Sequence, residues 1–397
     1  MEQTKNYPKV YLAIDNCFAI KRWVSPSAWM SAVKEIGGSY VEASTDNECD
    51  PLFSPTDYLD DWANEVLAEG EKQGVRIANF YTGYQTYRTV GLAHRDPRVR
   101  QKLLDGWLKP AVRLARKVGA AGVGFSFFAM PDEVLQSPAA YAKSEEHILR
   151  ALTELVAYSQ AQRPVAISFE QMYAPHQPPW TIEGSEDFLR RLYARTHSPA
   201  YVTIDVGHQV GQKRFLKPTP ERVAELLKKG RQGEKLENVW LGPAAAYKLY
   251  YDAIQSPASQ DAASVVRILK EMDPCPYLFA RESDGDTYAW LERLGAYSPI
   301  IHMQQNNGVT SHHAPFTAAN NKTGIIEGKK LLAALARSYE RPVETGMPPR
   351  TGDIYLSFEI FASNIDYNHD TIARMTETLG YWRQFVPRDG IPLNELV

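Results

Sequence analysis

Residues Tyr201-Val-Thr-Ile-Asp-Val-Gly-His208 decide how this chain is read. Four strand-prone residues run into an acid, and a turn glycine then leads to a histidine. The pattern predicts a buried strand with Asp205 at its C-terminal end and His208 one short turn beyond. Three other apolar runs end alike: Ala166-Ile-Ser-Phe-Glu170, Pro299-Ile-Ile-His302 and Tyr355-Leu-Ser-Phe-Glu359. We expect these four strand ends to converge on one metal ion.

Outward from this stretch, strands and helices alternate. Strand one is expected at Val10–Ile14, strand two at Ser39–Ala43 (with Glu42 near its end), strand three at Val75–Tyr81 and strand four at Gly122–Phe128. Strands five to eight end at Glu170, Asp205, His302 and Glu359. Helical periodicity fills the intervals. Ser25 to Ile36 ends at Gly37-Gly38, Asp96 to Val118 forms one long amphipathic helix, and Thr371 to Phe385 closes the chain. Strands alternating with helical patterns indicate parallel βαβ units, and eight of them fit a (β/α)₈ barrel, the TIM barrel. An open doubly wound sheet is the alternative, but Asp15-Asn-Cys-Phe-Ala19 lacks a glycine-rich first turn. Gln209 to Pro274 is too long for one connection. It is expected to be a helical excursion inserted between strands six and seven. Without a low-complexity linker, residues 1–397 are expected to form one domain.

Composition narrows the partners. The net charge is −3 over 397 residues, with no long basic run, so no nucleic-acid partner is expected. No apolar run reaches bilayer-crossing length, and the polar start has no signal-peptide core, so a soluble cytoplasmic protein is expected. Cys17, Cys49 and Cys275 are too few and too scattered for a disulfide framework.

Barrels of this type carry their chemistry at the C-terminal strand ends. Two Glu, one Asp and one His make a hard-to-borderline donor set that suits one Mn²⁺, Mg²⁺, Co²⁺ or Zn²⁺. Three carboxylates crowd together only with a cation among them. Each residue alone has a plainer explanation: Asp205 as a helix cap, His302 as a satisfied core histidine, Glu170 bonded to a neighbouring loop. Glu359, between Phe358 and Ile360, argues hardest for ligation, because a buried carboxylate is costly unless paired.

Ser168-Phe-Glu-Gln-Met172, Ile204-Asp-Val-Gly-His208, Ile300-Ile-His-Met-Gln-Gln305 and Ser357-Phe-Glu359 resemble the xylose-isomerase-like TIM-barrel superfamily of sugar and sugar-phosphate isomerases and epimerases. The resemblance implies metal ligands at Glu170, Asp205, His302 and Glu359, with His208 contacting a substrate oxygen. It covers Val165 to Ser363 well. The N-terminal half matches only in rhythm.

The chemistry then expected is proton transfer next to the carbonyl of a small ketose, with Glu170 and Glu359 as the acid/base pair. Epimerisation and aldose–ketose isomerisation use the same residues, and hydroxypyruvate-type isomerisation stays within the same class. His208 and Gln304 are expected to hold substrate hydroxyls. For a phosphate, Lys322 and the Asn- and His-bearing loop Gln305–Gly324, together with Arg281, are the candidate partners. The competing readings are a phosphodiester hydrolase of the apurinic endonuclease branch, which prefers several zincs and early histidines, and a non-catalytic sugar-binding barrel. Homo-oligomerisation is expected only by analogy.

Overall fold

The computed structural model describes residues 7–81, 88–161 and 163–397. Eight parallel strands close on themselves: β1 (Lys9–Asp15), β2 (Tyr40–Ser44), β3 (Arg76–Tyr81), β4 (Gly122–Phe125), β5 (Ala166–Glu170), β6 (Ala200–Asp205), β7 (Ile300–Met303) and β8 (Asp353–Phe358). Each pairs with the next, and β8 returns to β1. Helices run between consecutive strands, which makes the fold a TIM barrel. A short β9 (Ile391–Pro392) lies antiparallel against the start of β1.

The period of two along each strand sorts the side chains. One face carries Leu12, Ile14, Val41, Phe80, Val123, Ile167, Phe169, Val202, Ile204, Ile301, Leu356 and Phe358, all buried in the core beneath the helices. The other face points into the barrel. Its lower layer is aromatic: Tyr11 stacks on Tyr355 with ring centres 4.8 Å apart and meets Tyr40 at 5.1 Å. Above it come polar groups. Asn79 fits because Gly122 and Gly124 on β4 leave it room; a Cβ at Gly122 would meet Asn79 Oδ1 at 2.7 Å. Register sets the height of each group. Asp205 pairs with His302, and His302 pairs with Ser357, so these residues share one level.

Local signals explain the helix ends. The Ser25 side chain accepts from Ala28 N–H, Pro26 starts the helix, and Gly37 ends it in the left-handed conformation at φ 96°. The expected single helix over Asp96–Val118 differs. Pro97–Leu103 passes through a π-helical turn at Leu104–Leu108 before Lys109–Val118. Pro110 supplies the reason: it has no N–H to donate, and its ring crowds the preceding turn, which widens. Strand four is also shorter than expected and stops at Phe125. Between β6 and the helix Thr287–Leu294 lie the helices Gln209–Gln212, Pro220–Arg231, Ala244–Ile254 and Asp261–Met272. Among the described residues, no helix is long and apolar enough to cross a membrane.

Candidate metal centre

The four last strands bring their terminal polar groups to one point. Glu170 ends β5, Asp205 ends β6, His302 sits within β7, and Glu359 follows β8. One donor atom from each lies within 4.8 Å of the others, and all four residues are buried. His302 Nδ1 stands 3.0 Å from Glu170 Oε1 and 3.2 Å from Glu359 Oε2. Beyond such ion-pair contacts, Glu359 Oε2 is buried without a hydrogen-bond partner of good geometry among the described residues. Three carboxylates and an imidazole, with an orphaned oxygen among them, fit a divalent cation of hard or borderline character.

Behind this set stands a second layer. His302 Nε2 lies 3.1 Å from Glu42 Oε2, and Asn79 donates to Glu42 Oε1 at 2.6 Å. Tyr81 donates to Glu170 Oε2 at 2.8 Å. Gln304 Nε2 spans both oxygens of Asp205 at 2.9 and 3.0 Å, and Gly207 N–H donates to Asp205 Oδ1 at 2.6 Å. Gln304 is held in turn through Oε1, which accepts from His313 N–H at 2.7 Å. His208 Nδ1 contacts Gln171 O at 2.7 Å, leaving Nε2 3.7 Å from Asp205 Oδ2. His313 Nδ1 reaches within 3.5 Å of Glu359 Oε2 and forms a second potential donor group with Asp205 and His208.

The electrostatics follow from burial and neighbours. Burial disfavours charge on His302, but the carboxylates of Glu42, Glu359 and Glu170 outweigh it and hold the imidazolium well above its usual range. Burial also raises Glu359, and His302 and His313 offset only part of that. Asp205 goes the other way: burial opposes its charge, yet His208, His313 and His302 hold it below the ordinary carboxylate range. At the end of β1, burial and the charges of Glu42 and Glu359 push Asp15 well up.

A cavity of about 510 Å³ opens over the cluster. Glu170, Glu359, His208, His313 and Tyr81 line its floor, and Tyr173, Arg214, Thr310 and Phe361 stand among its walls.

A family model described as the xylose isomerase-like TIM barrel matches residues 30–354. The chain belongs to this family. A D-erythrulose 1-phosphate 3-epimerase from Brucella abortus (strain 2308) is 30% identical over 115 residues. That stretch is 29% of this chain and 34% of the relative, so the match spans about a third of the curated relative's length. Solved structures share the fold. A candidate xylose isomerase from Rhodospirillum rubrum ATCC 11170 superposes with TM-score 0.67 at 16% identity, covering 94% of this chain and 99% of the other. A D-allulose 3-epimerase from Methylomonas sp. gives 0.54 at 12% identity, covering 96% and 99%. A D-psicose 3-epimerase from Clostridium cellulolyticum H10 gives 0.53 at 12%, covering 95% and 98%.

The xylose isomerase-like barrel therefore brings Glu170, Asp205, His302 and Glu359 together, with His208 beside them. Gln304 lies in the same cluster, but its amide is engaged with Asp205 and the His313 backbone, so it orients a carboxylate. Arg281 and Lys322 lie elsewhere. Arg281 is exposed and paired with Glu183 at 2.5 Å, and Lys322 is exposed and outside the cavity lining. Neither His94 nor His147 joins a donor group among the described residues. Sequence reasoning missed Glu42, Tyr81 and the placement of His313. Glu42 and Tyr81 carry the same signal as the four ligand candidates, a polar side chain near a strand end.

Proposed function

We propose that this barrel is a divalent-metal-dependent epimerase or isomerase of a small ketose. One observation carries the reading: Glu170, Asp205, His302 and Glu359 meet within 4.8 Å, and both glutamates line the cavity above. Glu170, Asp205, His302 (through Nδ1) and Glu359 would hold the ion, with Glu42 fixing the imidazole from behind. A divalent ion there supplies Lewis acidity toward the carbonyl and adjacent hydroxyl of an α-hydroxyketone.

The chain's own groups do the proton work. One glutamate takes the proton from the carbon next to the carbonyl, and its carboxyl then carries that proton. The other glutamate returns a proton. Delivery to the same carbon from the opposite face inverts it, whereas delivery to the former carbonyl carbon moves the carbonyl along the chain. Tyr81 keeps Glu170 oriented. His208, with Nδ1 tied to Gln171 O, turns Nε2 toward the site and holds a substrate oxygen. Tyr173, Phe361 and the loop 309–313 wall the cavity and limit water. The 30% identity to a 3-epimerase favours epimerisation over isomerisation. We place the whole chain, 1–397, in this one barrel.

The test is NMR of a ketose panel in D₂O with metal-loaded protein. An α-proton that exchanges, with conversion to the epimer, supports the reading. A panel from tetroses to hexoses, with and without phosphate, in which nothing exchanges would sink it.

A further inference from the structure

We propose that Arg214 binds an anionic group of the substrate, so that the ketose handled here carries a phosphate or a carboxylate. The inference rests on the epimerase reading above and adds the charge class of its substrate.

Arg214 lies in the turn Lys213–Phe215, directly after the short helix Gln209–Gln212 that begins at His208. The segment that places His208 over the metal centre therefore also places Arg214 on the wall of the same cavity. A second cavity of about 560 Å³ adjoins it, lined by Phe215, Asn238 and Trp240. The two cavities share Tyr173, Gly211 and Arg214, so Arg214 stands at their junction. Among the described residues, Arg214 is the only lysine or arginine lining either one.

Its bonding leaves it free to take a ligand. Nη2 donates to Asn238 Oδ1 at 3.1 Å, a neutral acceptor. Among the described residues, no carboxylate pairs with Arg214. Arg190, Arg191, Arg195, Arg281 and Arg293 each have such a partner. A guanidinium offers five N–H donors, and one such bond leaves most of them open. Its planar fork matches a phosphate or carboxylate. The hydroxyl-bearing residues Thr310 and Ser311 line the same cavity.

Charge balance points the same way. Glu42, Glu170, Asp205 and Glu359 gather four carboxylates beneath the cavity, against the two positive charges of a divalent ion. A neutral sugar enters such a site without help. An anionic one is repelled unless a cation meets it at the wall. Arg281 and Lys322 lie outside the lining and cannot fill that role.

The experiment compares the metal-loaded wild type with Arg214→Met and Arg214→Lys. α-Proton exchange is measured on erythrulose, on its 1-phosphate and on hydroxypyruvate. We expect the wild type to prefer one of the two anionic substrates; which one distinguishes phosphate from carboxylate. Arg214→Met should lose about 10- to 100-fold in kcat/KM on that substrate, mostly through KM, as expected for one charge-assisted contact. Exchange on neutral erythrulose should change little, and Arg214→Lys should recover part of the loss. Equal wild-type rates on neutral and anionic ketoses would overturn the inference and leave the epimerase reading intact. So would an equal effect of Arg214→Met on both classes, or no effect at all. If no ketose exchanges with the wild type, the epimerase reading falls. Inorganic phosphate binding, measured by calorimetry on the same proteins, then decides alone: weaker binding by Arg214→Met supports the anion site, and identical binding overturns it.

Discussion

Glu42 Oε2 sits 3.1 Å behind His302 Nε2, on the side away from Glu170 and Glu359. The contact is an ion pair by distance, and among the described residues neither atom has a hydrogen-bond partner of good geometry. The imidazole is thus held between a carboxylate on β2 and the ligand cluster, with Nδ1 presented to the cluster. A carboxylate that receives the rear N–H of a ligating histidine fixes its tautomer and its aim. Glu42→Gln should therefore weaken metal affinity by about 10- to 100-fold. Titration of metal-free protein with Mn²⁺ or Zn²⁺ reads this directly. Unchanged affinity would show that the contact is packing alone.

Glu170 and Glu359 are both assigned proton transfer as well as ligation. Glu359→Gln and Glu170→Gln should each lower α-proton exchange by about 10²-fold or more. Each removes one ligand charge, so metal is supplied in excess and its occupancy measured in the same samples. Near wild-type exchange by either fully loaded variant would remove that residue from the acid/base pair.

Gly207 is needed for space. Its backbone angles are not left-handed, yet a Cβ there would lie 2.4 Å from Gln304 Cδ. Gln304 would have to swing away from the two oxygens of Asp205 that it now bridges. Gly207→Ala should cost stability, on the order of 1–3 kcal/mol for overpacking. It should also weaken metal binding by more than about tenfold if Asp205 is a ligand. A variant that melts and loads like wild type would mean the site tolerates a displaced Gln304.

Asp50 lines another cavity, of about 680 Å³, on the far side of Phe361. Burial pushes its carboxyl up from 3.8 to about 6, with Leu52 N–H pulling against the shift and Asp46 adding to it. Below about pH 4 the acid is protonated in both the folded and the unfolded chain and costs nothing. As pH rises toward 6 the unfolded chain ionises first, so folding loses stability over that interval. Asp50→Asn should raise stability at pH 7.5 by about 1 kcal/mol, a figure reduced for the solvent in the cavity. The gain should vanish at pH 4. Thermal melts at both pH values test it, and equal shifts at the two would contradict the assignment.

The barrel was legible because β5 to β8 each run apolar into one polar residue, a pattern carried by adjacent positions. The ligand candidates came from the same local signal. Glu42 and Tyr81 show it too, but their partners, His302 and Glu170, lie on other strands, and a single strand says nothing about which neighbour it faces. His313 was harder still. It sits in a loop rich in Asn, Gly and His, and its aim comes from a backbone N–H bonded to Gln304, a contact that no spacing rule encodes. The cation at the cavity wall was expected at Lys322 or Arg281, near β7. Arg214 lines the cavity and those two do not, because the turn that follows His208 carries Arg214 to its wall.

The short antiparallel pairing of Ile391–Pro392 with Lys9–Val10 brings the first and last strands side by side at the lower rim, opposite the metal centre. That seam is remote from every loop that shapes the cavity. Exchanging the loops above β6 and β7 would therefore leave untouched the pairing that straps the segment after the final helix onto β1.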